Sequence, residues 1–190
     1  STRGTSLKEA LTPEIAEPVS TPDGFTAVIT NYNGTDYAWQ RTTTAGTVAI
    51  EPFTEGEESG YRVVVTALAP ADPATVRLRT TRDGFAPGVL EFTASSLRAK
   101  LDPDLGPATR TDGGFTTAIR NYDDVGYDPD DYQWQATSVP GSAAIDSETG
   151  LVTVTGLEDG QTATVTVTSQ RVGYAKGTSA KTAAALEAPR

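Results

Sequence analysis

The chain has 190 residues, with 15 Lys and Arg against 25 Asp and Glu, and a formal charge of −10. That balance argues against nucleic acid and anionic membrane surfaces, which select basic faces, and is compatible with cation binding. Cys, His and Met are all absent, which removes disulfides, thiolate and ordinary zinc sites, and every nucleophile–histidine pair; no apolar run reaches membrane-spanning length.

In chain order the first half reads as a series of short alternating segments. Phe25–Ile29 places Phe and Ile on one face, Tyr37–Thr42 carries an inward Trp39, and Thr47–Ile50 is a short strand. An acidic stretch, Glu51 to Gly60, leads into Tyr61–Leu68; Thr75–Thr81 and Val89–Ala94 complete the set. Turn residues punctuate it at Asp23-Gly24 and at Arg82-Asp-Gly-Phe85.

The second half repeats the first. Leu11, Pro13, Phe25, Ile29, Asn31 and Tyr32 recur 90 positions on as Leu101, Pro103, Phe115, Ile119, Asn121 and Tyr122. Trp39, Gln40, Gly46 and Ile50 recur 95 positions on as Trp134, Gln135, Gly141 and Ile145. Leu68, Val76, Arg82, Gly84 and Gly88 recur 89 positions on as Leu157, Val165, Arg171, Gly173 and Gly177. The second copy therefore gains five residues between Tyr122 and Trp134 and loses six later. Its predicted strands are Phe115–Ile119, Tyr132–Thr137, Ser142–Ile145, Leu151–Leu157, Thr162–Gln170 and a weakly pairing Thr178–Thr182. Val165 and Val167 face in, while Thr164, Thr166 and Thr168 face out. Short strands at this spacing around a lone Trp, with no helical period, describe an all-β chain of two tandem Greek-key β-sandwiches.

The run from Trp134 through Ala144-Ile-Asp146, Thr149-Gly150-Leu-Val-Thr-Val-Thr-Gly156-Leu157, Gly160 and Thr162–Thr168 resembles the bacterial immunoglobulin-like and fibronectin type III-like repeats. The resemblance covers residues 11–182. It implies tandem modules of secreted or cell-surface proteins, serving as stalks, spacers or adhesins. Ala74 and Ala163 stand where a fibronectin-type domain often carries a corner Tyr.

These readings give a first immunoglobulin-like repeat over 1–98 and a second over 99–182. Residues 1–10 read as the end of a preceding repeat, because Arg3-Gly4-Thr5-Ser6 echoes Lys176-Gly177-Thr178-Ser179. Ala183-Ala-Ala-Leu-Glu187 resembles a vector-encoded tail, so 183–190 are placed outside the fold.

The densest polar feature is the insertion, with Asp123, Asp124, Asp128, Asp130 and Asp131 within nine residues. Carboxylates so close repel unless solvated or neutralised, and Ca²⁺ accepts six to eight oxygens from a flexible loop. Asp102 and Asp104, in what reads as the interdomain linker, join these five as a candidate Ca²⁺ ligand set. The spacing is not that of an EF-hand, and a solvated acidic loop is the plainer reading.

Arg82 and Arg171 are expected to tie their turns to a carboxylate. Tyr32, Tyr37, Tyr122, Tyr127 and Tyr132 gather where aromatic faces could stack on sugars, or else cap the core. Asn33-Gly34-Thr35 is a glycosylation sequon and, first of all, a tight turn. Acids concentrated in one loop form no cleft with a desolvated carboxyl, so no enzyme is expected.

The expected function is therefore a non-catalytic stalk or spacer pair in a secreted or surface-anchored bacterial protein. An accessory, weakly carbohydrate-binding region of a secreted enzyme, or a ligand-binding adhesin tip, are the alternatives. Expected partners are neighbouring repeats of the same chain and an extracellular protein or glycan ligand. Neither nucleic acid nor membrane insertion is expected, and the chain should be a monomer.

Overall fold

Alternation of Val, Ile, Phe and Thr with polar residues lets one face of each segment be buried while the other stays wet, and strands are the result. The structure, a computed structural model, describes residues 4–122 and 132–189. Among these it contains fourteen strands and no helix. The chain divides between Ala99 and Lys100 into two compact units.

In the first unit the strands are β1 (Val19–Thr21), β2 (Gly24–Ile29), β3 (Ala38–Thr43), β4 (Thr47–Glu55), β5 (Glu58–Thr66), β6 (Pro73–Thr81) and β7 (Gly88–Ser95). They form one sheet in the order β1-β2-β5-β4 and another in the order β3-β6-β7. The second unit repeats this with β8 (Thr109–Thr111), β9 (Gly114–Ala118), β10 (Gln133–Val139), β11 (Ser142–Ile145), β12 (Leu151–Thr155), β13 (Thr162–Gln170) and β14 (Gly177–Ala184). Its sheets run β8-β9-β12-β11 and β10-β13-β14. All named pairs are antiparallel. Four strands ordered A-B-E-D facing three ordered C-F-G is the constant-type immunoglobulin arrangement, and each unit has it.

Each unit fills the space between its sheets with its own core. Phe25, Val63, Val65, Val76 and Leu78 pack in the first, with Trp39 and Phe92 against them. Phe115, Val152, Val154, Val165 and Val167 pack in the second, with Trp134 and Ala136 against them. Both Phe rings are fully buried.

The two copies also share the devices that hold their first segments. Asn31 accepts from Glu14 N–H and donates to Thr12 C=O, at 2.9 and 2.8 Å. Asn121 does the same for Asp104 N–H and Asp102 C=O, at 2.9 and 3.0 Å. The hydroxyls of Thr80 and Ser169 donate to the carbonyls of Leu11 and Leu101. These carbonyls lie against Gly88 and Gly177, where an added Cβ would stand 1.9 and 1.8 Å from the oxygen. Glycine is required there by the close approach of two backbones.

Several expectations need correction. Within the stretch placed outside the fold, residues 183–186 belong to it. β14 runs to Ala184, pairing with β13 over eight residues, so this last strand is not weak either. Ala185 is fully buried. Leu186 N–H donates to Thr111 C=O and Gly160 N–H to Leu186 C=O, matching Leu97 to Thr21 and Ala71 to Leu97 in the first unit. Backbone pairing, which composition does not report, holds this Ala-rich stretch. Lys8 likewise binds the first unit itself, bridging Phe85 in parallel. The acidic stretch Glu51 to Gly60 is no loop but the extension of β4 and β5 into a nine-residue hairpin around Gly56. Lastly, 102–105 is not a free linker, because Leu105 bridges Ile119 and Asp104 C=O accepts from Arg120 N–H.

Candidate functional site

The site expected from the sequence was the acidic cluster. Asp123, Asp124, Asp128, Asp130 and Asp131 lie outside the described residues. Asp102 and Asp104 are described, and both are engaged. The carboxylate of Asp102 accepts from Lys100 Nζ at 2.9 Å on one oxygen and from Thr178 N–H at 3.2 Å on the other. The Lys100 hydrogen bond, followed by that of Thr178, holds its pKa below the usual carboxylate value. An ion at Asp102 would have to displace the ammonium. Asp104 is fixed through its backbone by Asn121 and Arg120. Among the described residues no three acidic side chains converge on a point that could hold a metal.

A second acid is tuned for a structural reason. Asp146 accepts from Thr149 N–H at 2.9 Å and from Glu148 N–H at 3.0 Å, closing the short β11–β12 turn. The hydrogen bonds from Thr149, then that of Glu148, lower its pKa. The side chain is exposed and is a turn cap, not a general acid.

Arg82 and Arg171 both lie over aromatic rings at their turns. The Arg82 guanidinium lies 4.6 Å from the Phe85 ring centroid and 5.4 Å from that of Tyr37. Arg171 lies 4.8 Å from Tyr174 and 5.5 Å from Tyr132. A planar cation between two aromatic rings is a favourable stack that stiffens the β6–β7 and β13–β14 turns. Part of the signal lay in the repeat: Phe85/Tyr174 recurs at the arginines' own offset of 89, and Tyr37/Tyr132 at the offset of 95 that Trp39/Trp134 has.

The tyrosines mostly cap cores. Tyr32 stacks on Tyr61 at 4.0 Å and leans on Trp39 at 5.0 Å. Tyr122 sits 5.4 Å from Trp134 and donates its hydroxyl to Ser147 C=O at 2.8 Å. Tyr132 is buried. Tyr127 lies outside the described residues. Asn33 is an Asx turn: its Oδ1 accepts from Thr35 and Asp36 N–H, and its Nδ2 donates to Asp36 at 3.0 Å. One of the two Nδ2 hydrogens is thus engaged. The Asn33 carbonyl also accepts Trp39 Nε1–H at 2.9 Å. By contrast, Trp134 Nε1 is buried with no partner among the described residues.

Two open clefts were not foreseen. In the first unit Gln40, Arg41, Thr42, Arg77 and Arg79 line one of about 420 Å³ over β3 and β6. In the second, Trp134, Gln135, Ala136, Thr137, Ala143, Ala144 and Ile145 line one of about 470 Å³ between β10 and β11. Residue types signal neither, since each needs the register that brings the strands together.

No family model and no curated protein matches the chain. Among solved structures it is similar to the chicken interferon gamma receptor alpha chain, at 8% identity over 93% of this chain and 99% of that one, with a TM-score of 0.34. It is also similar to the full ectodomain, Ig1–Ig3, of mouse nectin-like molecule 4, at 9% identity over 95% of this chain and 65% of that one, with a TM-score of 0.31. The fold follows from the strand order and not from these distant likenesses. No helix among the described residues is long and apolar enough to cross a membrane.

Proposed function

We propose that the chain is a non-catalytic, load-bearing pair of immunoglobulin-like modules, a stalk or spacer in a secreted or surface-anchored bacterial protein. The observation that carries this reading is how each unit holds its first segment. Lys8 N–H donates to Gly84 C=O and Ala86 N–H to Lys8 C=O, both at 2.9 Å, in a parallel bridge. Leu11 then lies against Gly88, the first residue of β7. In the second unit Leu101 lies against Gly177 and Asp102 accepts from Thr178, at the start of β14. The entering segment therefore runs beside the start of the exit strand. Tension between the ends shears these contacts together instead of opening them one at a time. The stacked arginines stiffen the turn where that load enters. This use of the repeated residues is structural in both copies, which is why a framework role is favoured over chemistry.

Single-molecule pulling tests it. Two unfolding steps are expected, each releasing roughly 30 nm, the length of about 90 extended residues. Lys8→Pro removes the N–H donated to Gly84 and should lower the force of one step only. A single merged step, or unfolding at forces that Lys8→Pro leaves unchanged, would overturn the load-bearing reading. Fragments 1–99 and 100–190 should each give a folded β spectrum by circular dichroism.

A further inference from the structure

A strand at the margin of a sheet exposes unpaired N–H and C=O groups, and any extended chain can add to it. Proteins block this with charge or proline, most effectively with a charge on the inner face, because an added strand would bury it. Five of the marginal strands described here are longer than four residues: β3, β4, β7, β10 and β14. β3 carries Arg41 on its inner face, opposite Leu78. β4 carries Glu51, Pro52 and Glu55, and β7 carries Glu91. β14 carries Lys181 on its inner face, opposite Val165. β10, Gln-Trp-Gln-Ala-Thr-Ser-Val, has no charge and no proline. Where β3 has Arg41, β10 has Ala136 at the matching register, opposite Val167.

The unguarded edge also has a place for side chains. Ala136 and its neighbours open the cleft of about 470 Å³ between β10 and β11, floored by Trp134, Ala143 and Ile145. On the outer face the pairs Gln135–Thr168, Thr137–Thr166 and Thr166–Ala180 are uncharged, in a chain of net charge −10. Val139, at the end of β10, is 77% exposed.

We propose that β10 is a docking edge that receives an extended, uncharged peptide segment of a partner protein as an added strand. Main-chain hydrogen bonds supply the affinity and alternate side chains the specificity. Small apolar or β-branched residues at every second position enter the cleft beside Ala136, and Thr, Ser or Gln between them lie flush with the outer face. A second copy is the weaker occupant. Seven residues give an edge about 24 Å long; taken as about 10 Å deep it offers roughly 240 Å², against the roughly 800 Å² per partner of a stable interface.

The test uses a capped, labelled peptide with the sequence of Thr162–Gln170, which alternates Val and Thr and already pairs with β10 on its other side. Saturable binding to the full chain is expected, with amide exchange slowed in Gln133–Val139. Ala136→Arg, which gives β10 the residue its counterpart β3 carries, should weaken binding by about tenfold or more. Ser138→Lys, also on the inner face, is the second variant should the first misfold by circular dichroism. Ala180→Arg, on the outer face of β14, should leave binding intact. Absence of binding, equal binding by both inner-face variants, or loss with Ala180→Arg alone would overturn the proposal. Dimerisation of the chain in sedimentation, abolished by Ala136→Arg, would give the edge to a second copy and overturn the peptide occupant. These outcomes are independent of the pulling result, so either reading can fail alone.

Discussion

The two units share a framework and differ at its margins, and the difference separates what the fold needs from what it tolerates. Fully buried Phe25 and Phe115, the Asn31 and Asn121 clamps, and the close approaches at Gly88 and Gly177 occur in both. The first unit lengthens β4 and β5 and stacks Tyr61 on Tyr32. The second replaces that hairpin with an Asp146-capped turn and reaches Ser147 with the Tyr122 hydroxyl. Each version covers the Trp with a tyrosine, by a ring stack in one and a hydrogen-bonded phenol in the other. Repetition thus marks the constraint, and divergence marks the free surface.

The sharpest way to break this comparison is at the shared core. Phe25→Ala and Phe115→Ala each empty a fully buried ring position, and each should cost about 3–5 kcal/mol. Amide exchange can be read separately from β2–β5 and β9–β12. Each substitution should raise exchange in its own unit and leave the other unchanged. Loss of protection in both units from either substitution would mean that they share stability.

A smaller effect should divide the two tryptophans. Trp39→Phe removes a hydrogen bond to Asn33 C=O, whereas Trp134→Phe removes a buried N–H with no partner among the described residues. The lost ring volume is the same in both. Trp39→Phe should therefore be the more damaging by about 1–2 kcal/mol in denaturant melts followed by exchange. Equal costs would mean that the Trp39 bond contributes nothing, or that Trp134 finds a partner in solution.

Smaller again is the effect of backbone strain. Ala67 and Ala71 hold φ of 63° and 64°, where the second unit has Gly156 and Gly160 at 79° and 68°. An alanine in the left-handed region costs about 1–2 kcal/mol, and glycine gives back part of that gain through unfolded-state entropy. Ala67→Gly should stabilise the first unit by roughly 0.5–1 kcal/mol, and Gly156→Ala should destabilise the second by a similar amount. A destabilised Ala67→Gly would show that the alanine methyl makes contacts worth more than the strain.

How much was legible in the sequence follows the same division. The Trp-centred duplication, the Val-in, Thr-out rhythm of β13 and the turns at Arg82 and Arg171 could be read because each is a local pattern with a period or an offset. The sheet order also followed, since seven strands with this spacing have few sandwich solutions. Three things could not be read locally. The role of 183–187 depends on backbone bonds to Thr111 and Gly160, to which alanine composition is blind. The arginine stacks need Tyr37 and Phe85 brought together across strands that are distant in sequence. The unguarded β10 edge is visible only once the topology shows which strands are marginal, because Ala136 is unremarkable until it is set beside Arg41. Local physics shows where strands form; pairing decides what each residue is for.

The smallest expected difference is the response to acid. Asp102 and Asp146 both have lowered pKa values, from the Lys100 and Thr178 hydrogen bonds in one case and those of Thr149 and Glu148 in the other. Both lie in the second unit. At the matching positions the first unit has Thr12 and Glu51, neither of them an aspartate in such a setting. A carboxyl whose folded pKa lies below its unfolded value is bound more tightly as the anion in the folded chain. Its contribution is complete above the unfolded value, about 3.9 for aspartate, and is lost as pH falls toward and through the folded one. The second unit should therefore lose stability relative to the first as pH drops below about 4, and show no such difference between about pH 6 and 8. Because both side chains are exposed, screening keeps each contribution small. The double variant Asp102→Asn, Asp146→Asn separates these two groups from all other carboxylates of the unit. It should flatten part of the acid dependence of exchange in β9, β12 and β14, and leave that in β2 and β5 unchanged. An undiminished acid slope in the double variant would mean that neither bond favours the folded state, and that the second unit's acid sensitivity comes from its other carboxylates.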